Sequence, residues 1–315
     1  MIAVLGSANT DMVITGKKIP VPGETVSGGT FMMNPGGKGA NQAVAVARLS
    51  AKKRSCVFIA KVGDDVFGRD TAARMKKEGI VPRLVVDRTC ASGTALIMVD
   101  GKGQNCISVA LGANANLLPA DAERFSRDIE DADVLMLQLE TPVETVLWAA
   151  KTAHAKNVRV VLNPAPAAKL PKELYRYIDW ITPNETEAEL LTGVKVSDLA
   201  GCMKAEAVFR RRGVANTVIT LGASGCYAAG KIYPCVKVRA VDTVAAGDTF
   251  NGAFAVAMAE GMPLDDAIAF AQKAAAISVT RPGAQPSVPY RDELAGWRPP
   301  GRKPASPKSR GGRVG

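Results

Sequence analysis

Short apolar runs alternate with longer amphipathic stretches along most of the chain, and this rhythm predicts strands and helices in turn. Ile2–Leu5, Cys56–Ala60, Val134–Leu139, Val158–Leu162, Trp180–Thr182 and Thr217–Thr220 read as strands. They are short and almost continuously apolar, as buried strands of a parallel sheet are. Between and after them, Gln42–Leu49, Gly68–Glu78, Pro119–Ile129, Val143–Lys156, Asp248–Glu260 and Leu264–Val279 read as helices, and an acidic helix begins at Pro183. Such alternation predicts an α/β fold, a three-layer sandwich with helices on both faces of a mostly parallel sheet.

Two stretches break the rhythm. Met12–Thr15 and Glu24–Ser27, separated by Pro20, Pro22 and Gly23, have the look of β pieces, as do Gly93–Val99 and Cys106–Ala110 around the turn Asp100–Gly103. They predict a small inserted β-sheet, a lid formed by about residues 12–34 and 93–110. Cys226–Ala228 and Val236–Val241 read as further β pieces. No internal repeat is evident.

Composition narrows the classes. A chain of 315 residues that is 47% hydrophobic and 22% charged is ordinary for a globular protein. No secretory signal is visible, and nothing approaches the ~20 apolar residues of a membrane span, so a cytoplasmic location and no membrane partner are expected. The six cysteines are scattered without metal-ligand spacing and are expected to be reduced and mostly packed. The only histidine, His154, falls on the helical side shared by Val143, Leu147 and Ala150, which predicts a partly buried structural role and leaves any general base to a carboxylate. The net charge of +10 raises the question of nucleic acid, but six basic and no acidic residues lie in 298–315, leaving +4 on the rest. That Pro/Gly/Ser-rich tail is expected to be a disordered appendage, not a nucleic-acid arm.

The candidate chemistry collects at turns. Ala245, Ala246 and Gly247 let a ligand approach their amides at the start of a helix, where free N–H groups favour anions. Asp248 beside them would repel a bound phosphate, so the pairing suits a carboxylate that handles a proton while the amides stabilise a transferred group. It also suits an acid that merely favours the helix dipole. Asn9 and Asp11 beyond the first strand, and Glu140 beyond Val134–Leu139, fall on the ligand-binding edge of such a sheet, although Asn9 and Asp11 would serve equally in a turn. Asn34–Asn41 is a Gly-rich turn before a helix, but Met32 and Gly39 spoil the spacing of a P-loop. It reads either as a hinge or as a close approach to a hydroxylated ligand by Lys38 and Asn41. Asn184 and Glu187 share one side of a first helical turn, suited to Mg²⁺ through water or to a simple helix cap. Leu221–Gly225 is another small-residue turn that would admit phosphate oxygens.

Taken together, Gly6–Asp11, Gly36–Asn41, Asn184-x-x-Glu187, Thr220–Gly225 and Asp242–Asp248 resemble the ribokinase family of carbohydrate kinases, from Ile2 to about Trp297. The form Ala245-Ala-Gly-Asp248, with Gly283–Ser287, is similar to the ribose-phosphorylating members. The resemblance implies ATP-dependent phosphorylation of D-ribose at its 5-hydroxyl, with other sugar or nucleoside kinases of the family (deoxyribose, fructose or adenosine) and a non-catalytic sugar-binding protein as alternatives. It implies that Asp248 is the base and that Ala245, Ala246 and Gly247 form the anion hole. Asn9, Asp11, Gly37, Lys38, Asn41 and Glu140 would hold the ribose. Asn184, Thr220, Leu221, Gly222, Ala223, Ser224, Gly225 and Gly247 would line the ATP site. Gln272 stands where the family often has His near the nucleotide. Asn184 and Glu187 would organise Mg²⁺, and Asp242, the Val244 carbonyl, Ser278, Arg281, Gly283 and Ser287 would form a loop for K⁺. A homodimer through the β lid is implied as well.

Overall fold

The computed structural model describes residues 1–297; the tail 298–315, with its expected disorder, lies outside the described residues. Strands are numbered in chain order: β1 (Ile2–Leu5), β2 (Asn9–Thr15), β3 (Thr30–Gly36), β4 (Cys56–Gly63), β5 (Val81–Asp87), β6 (Gly93–Val99), β7 (Asn105–Ala110), β8 (Val134–Leu137), β9 (Arg159–Leu162), β10 (Trp180–Ile181), β11 (Asn216–Thr220), β12 (Cys226–Ala228) and β13 (Lys231–Tyr233). Nine of them form one sheet in the order β13-β12-β11-β10-β9-β8-β1-β4-β5. Pairing is parallel from β11 through β5; β12 alone runs the other way, antiparallel to both β11 and β13.

Alternation of side chains along each strand divides the core. Ile2, Val4, Phe58, Met136 and Val161 point to a layer that holds the helices Lys38–Leu49, Ala246–Ala259 and Leu264–Ser278. Ala3, Leu5, Ile59, Leu135, Leu137 and Leu162 point to the opposite layer, with the helices Val143–His154, Glu185–Thr192 and Leu199–Arg212. These strands are buried on both faces, which is why they read as unbroken apolar runs. The three-layer α/β sandwich is as expected.

The remaining strands form a separate sheet, β3-β2-β6-β7, antiparallel except for the β2–β6 pair. The expected piece Glu24–Ser27 is not one of its strands. Glu24 instead closes a local turn with Lys18 and the Val21 amide. The partner of β2 starts only after Gly28 and Gly29, both at positive φ, when Thr30 meets Thr15. Val236–Val241 is likewise no strand: the hairpin ends at Tyr233 before Pro234, and Val241 instead donates to the Val279 carbonyl at 2.7 Å. β8 stops at Leu137, two residues short of expectation, which releases Gln138 and Glu140 at the sheet's edge. His154 is exposed, contrary to the helical pattern. It ends its helix, beyond the buried Ala150 and Ala153, and meets Tyr177 edge-on at 5.3 Å. Cys56, Cys202 and Cys226 are buried and Cys106 is exposed, all as free thiols. Among the described residues no helix is long and apolar enough to cross a membrane.

Candidate active site

The carboxyl ends of β1, β8, β9, β10 and β11 lie side by side in the parallel sheet, and the chain leaves each of them into a polar segment. This is the edge at which open α/β sheets take ligands. Two helix N-termini face the same edge, those of Lys38–Leu49 and Ala246–Ala259. They cross closely because residue 252 is glycine: a Cβ there would stand 2.5 Å from Ala45 Cβ and 3.0 Å from the Gln42 carbonyl oxygen. The close crossing brings Asn41 and Gln42 to Asp248.

Asp248 is buried in the first turn of its helix. Its Oδ2 accepts from Asn41 Nδ2 at 2.9 Å and its Oδ1 from Gln42 Nε2 at 3.1 Å. The turn before it is unusual for its residues, since Ala245 is left-handed at φ 58° and no side chain caps the helix. The Ala246 amide donates to the Thr243 carbonyl at 3.2 Å, whereas the amides of Gly247 and Asp248 have no protein acceptor among the described residues. Free amides at a helix start, with nothing within 4 Å of where a Gly247 Cβ would stand, leave room for an anion.

Sugar-sized polarity is arranged opposite. Asn9 is buried, with its Oδ1 accepting from Asn114 Nδ2 at 2.8 Å. Asp11, half-buried on β2, has its carboxyl pushed up to about 6, by burial first and then by the charges of Glu140 and Asp248. Glu140 Oε2 accepts from Ser7 Oγ at 2.5 Å and from the Lys38 amide at 2.9 Å. Burial alone would pull the Lys38 ammonium down, but Asp248, Glu140 and Glu187 together outweigh it and hold its pKa above the usual lysine value. Gly37 sits at φ 87° where a Cβ would come within 2.7 Å of the Asn9 nitrogen, so only glycine lets β3 enter the helix there.

At the far side, Asn184 and Glu187 form a reciprocal cap: Asn184 Oδ1 accepts from the Glu187 amide at 2.8 Å and Glu187 Oε2 from the Asn184 amide at 2.9 Å. Both side chains keep a second polar atom free, since neither Asn184 Nδ2 nor Glu187 Oε1 has a protein partner among the described residues. Burial raises the Glu187 carboxyl above its ordinary value, partly offset by its bond to Asn184 and by Lys38. Thr220 bridges to Asn184, which sets the turn Leu221, Gly222, Ala223, Ser224 and Gly225 beside it. Gln272 donates to the Tyr233 carbonyl at 2.9 Å, so its amide braces the β13 hairpin. Asp242 clasps two segments, accepting from the Val244 amide at 2.9 Å and from the Gly283 amide at 2.8 Å. Ser278 and Ser287 donate to the carbonyls of Ala275 and Ala284, and Arg281 turns outward to Glu293.

Gln42, Gln138, Asn163, Asn114, Ser7 and Gln285 reach this network without having been foreseen. For Ser7, Gln138, Asn163 and Gln42 the only local signal is polarity at a strand end or in an otherwise apolar helix, and Asn114 and Gln285 sit in short 3₁₀ turns that carry no signal of their own.

The chain matches the description pfkB family carbohydrate kinase over residues 1–291. It is 46% identical over 297 residues to a ribokinase of Haemophilus influenzae, covering 93% of this chain and 96% of that one. A crystal structure of ribokinase from Thermotoga maritima superposes with a TM-score of 0.85 at 40% identity, covering 93% and 97%. Arabidopsis thaliana ribokinase complexed with ribose and ATP gives 0.85 at 32% identity, again covering 93% and 97%. With a family match over nearly the whole length and such relatives, the chain belongs to the pfkB family of carbohydrate kinases.

Proposed function

We propose that this phosphotransferase moves the γ-phosphoryl group of ATP to the 5-hydroxyl of D-ribose. The observation that carries the reading is Asp248: a buried carboxylate with both oxygens held by side-chain amides, seated in a helix start whose own amides are free. In the step, ribose O5 attacks the γ-phosphorus, the bond to the leaving ADP oxygen breaks, and the O5 proton passes to Asp248. Phosphoryl transfer asks mainly for alignment and charge stabilisation, so a carboxylate needs no unusual basicity if proton transfer is late. The amides of Ala245 and Gly247 stabilise the transferred group, with less from Ala246, whose N–H is turned to Thr243. Asn9, Asp11, Gly37, Lys38, Asn41 and Glu140 hold the sugar, and Thr220–Gly225 with Asn184 line the nucleotide.

The residues present fit two cations. Glu187 Oε1 remains free to hold water on Mg²⁺, which when bound neutralises phosphate charge. The Asp242 carboxylate, the Val244 carbonyl and the hydroxyls of Ser278 and Ser287 are an all-oxygen set drawn from the 242–244 turn, the end of the Leu264–Ser278 helix and the Gln285–Ser287 turn, suited to K⁺. Arg281 takes part through its backbone, because its guanidinium is paired with Glu293.

The second sheet reads as a lid over the sugar that also joins two copies. Its register puts Asp11 on one face and Ile14, Phe31, Met33, Leu96 and Met98 together on the other. These five are 37–60% exposed, a contiguous apolar face that suits a homodimer. The deciding experiment is an ATP-consumption screen across ribose, deoxyribose, fructose and adenosine, with the product's phosphorylated oxygen assigned by NMR. Preferred turnover of ribose to the 5-phosphate is expected; preference for another acceptor overturns the substrate assignment.

A further inference from the structure

Gln42 is fully buried, one residue past Asn41 on the Lys38–Leu49 helix. Its nitrogen donates to Asp248 Oδ1 at 3.1 Å and to Asn163 Oδ1 at 3.0 Å, and its oxygen accepts from Gln138 Nε2 at 2.6 Å. Both donors and the acceptor are therefore used, and the direction of the donor end is fixed from outside. Asn163 Nδ2 donates to the Thr182 carbonyl at 3.1 Å, so the Asn163 oxygen has to face Gln42, and Gln42 has to answer with its nitrogen. Gln138, fully buried at the end of β8, meets the other end by offering its NH₂ to the Gln42 oxygen. Its own Oε1 is buried without a partner and sits against Gly6, where a Cβ would be 2.0 Å away. The chain continues from Thr182 Oγ1 to Asn251 Oδ1 at 2.5 Å and from Asn251 Nδ2 to the Gly247 carbonyl at 2.9 Å. One buried network thus begins on the Asp248 carboxylate and ends on the backbone of the residue before it.

Such a network has a cost. Buried amides with directional partners are worth having only if nearly all are satisfied, and apolar side chains would fill the same space behind the sheet edge without that demand. What the amides supply is direction: with Asn41 on Oδ2 and Gln42 on Oδ1, the carboxylate plane cannot rotate about its bond to Cβ. We propose that Gln42 is a positioning residue for Asp248, locked by Gln138 and Asn163, that aims one carboxylate lone pair at the acceptor hydroxyl. This rests on the reading of Asp248 as the base. Gln42 does not touch the sugar, so its contribution falls on kcat and leaves KM alone. The charged groups facing Asp248 are Asp11 on β2, Lys38 at the start of the Lys38–Leu49 helix and Glu187 on the Glu185–Thr192 helix. None is altered when Gln42 is replaced.

The test uses the full chain and three variants, with folding followed by thermal melting. Gln42→Leu removes the donor, and kcat is expected to fall about 10- to 100-fold with the ribose KM little changed. Gln42→Glu keeps the shape and the acceptor for Gln138 but turns an oxygen toward Asp248, so kcat should fall at least as far, again with the ribose KM little changed; this variant carries the test if Gln42→Leu does not fold. Asp248→Asn, run in parallel, separates the two levels. Loss of turnover in Asp248→Asn while folded Gln42 variants keep the wild-type kcat, or are impaired in KM and kcat together, overturns the positioning role alone. Retained turnover in Asp248→Asn overturns the base and this inference with it.

Discussion

Asn41 Nδ2 lies 2.9 Å from Asp248 Oδ2 across 207 residues of sequence, and that contact joins the start of the Lys38–Leu49 helix to the start of the Ala246–Ala259 helix. Asn41 is turned in its place by Gln285, whose Nε2 donates to Asn41 Oδ1 at 3.2 Å. Asp248 is thus tied through one side chain to the loop that closes on Asp242.

With Asp11 holding the sugar as proposed, ribose binding should depend on pH. Its carboxyl is raised to about 6, and the ionised form is the better acceptor for sugar hydroxyls. The ribose KM should therefore rise as pH falls through about 6, and Asp11→Asn should flatten that dependence while weakening binding overall. For stability the sign is opposite. A raised carboxyl binds its proton more tightly in the folded state, so its contribution favours folding most at low pH and is lost as pH rises from about 4 toward 6. KM measured from pH 5 to 8 on both proteins checks the first point, and thermal melts of the ligand-free proteins check the second.

Gly252 holds the two helix starts together. Gly252→Val should force the helices apart and destabilise the fold by about 1–3 kcal/mol. Because the displacement falls between Gln42 and Asp248, kcat should drop even at temperatures where the variant is fully folded. Denaturant melts together with kcat at a temperature well below the melting point separate the two effects.

Asp242 should govern the response to monovalent cations. Replacing K⁺ by Na⁺ is expected to lower turnover of the wild type, and Asp242→Ala should remove the difference between the two salts. Rates at fixed ionic strength in KCl and NaCl provide the measurement; equal rates in the wild type would dismiss the cation loop.

The apolar outer face of the second sheet should hold two copies together. Phe31→Glu with Met33→Glu places charge on its β3 side and should convert a dimer to a monomer in light scattering, with a higher ribose KM if the partner also steadies the lid.

Much of this was legible in the residues. The buried strands announce themselves because Val4, Phe58 and Leu137 are flanked by equally apolar neighbours, and the small-residue turn before Asp248 announces anionic chemistry. What escaped has a common cause. Gln138 and Asn163 are single polar residues after apolar strands, and each acquires meaning only from Gln42, which is 96 and 121 residues away. No local spacing encodes that. Asn184 and Glu187 were ambiguous between cap and ligand for a physical reason, since the same geometry does both: the cap occupies one polar atom of each side chain and leaves the other free. Glu24–Ser27 misled because alternation alone does not reveal that Gly28 and Gly29 reset the chain before the strand begins.

The most direct measurement is Asp248→Asn, with turnover and ribose binding determined on the same preparation. The base assignment predicts a fall in kcat of at least about 10²- to 10⁴-fold, with ribose binding by calorimetry largely retained. A folded variant that binds ribose and still turns over at a substantial fraction of the wild-type rate would contradict it.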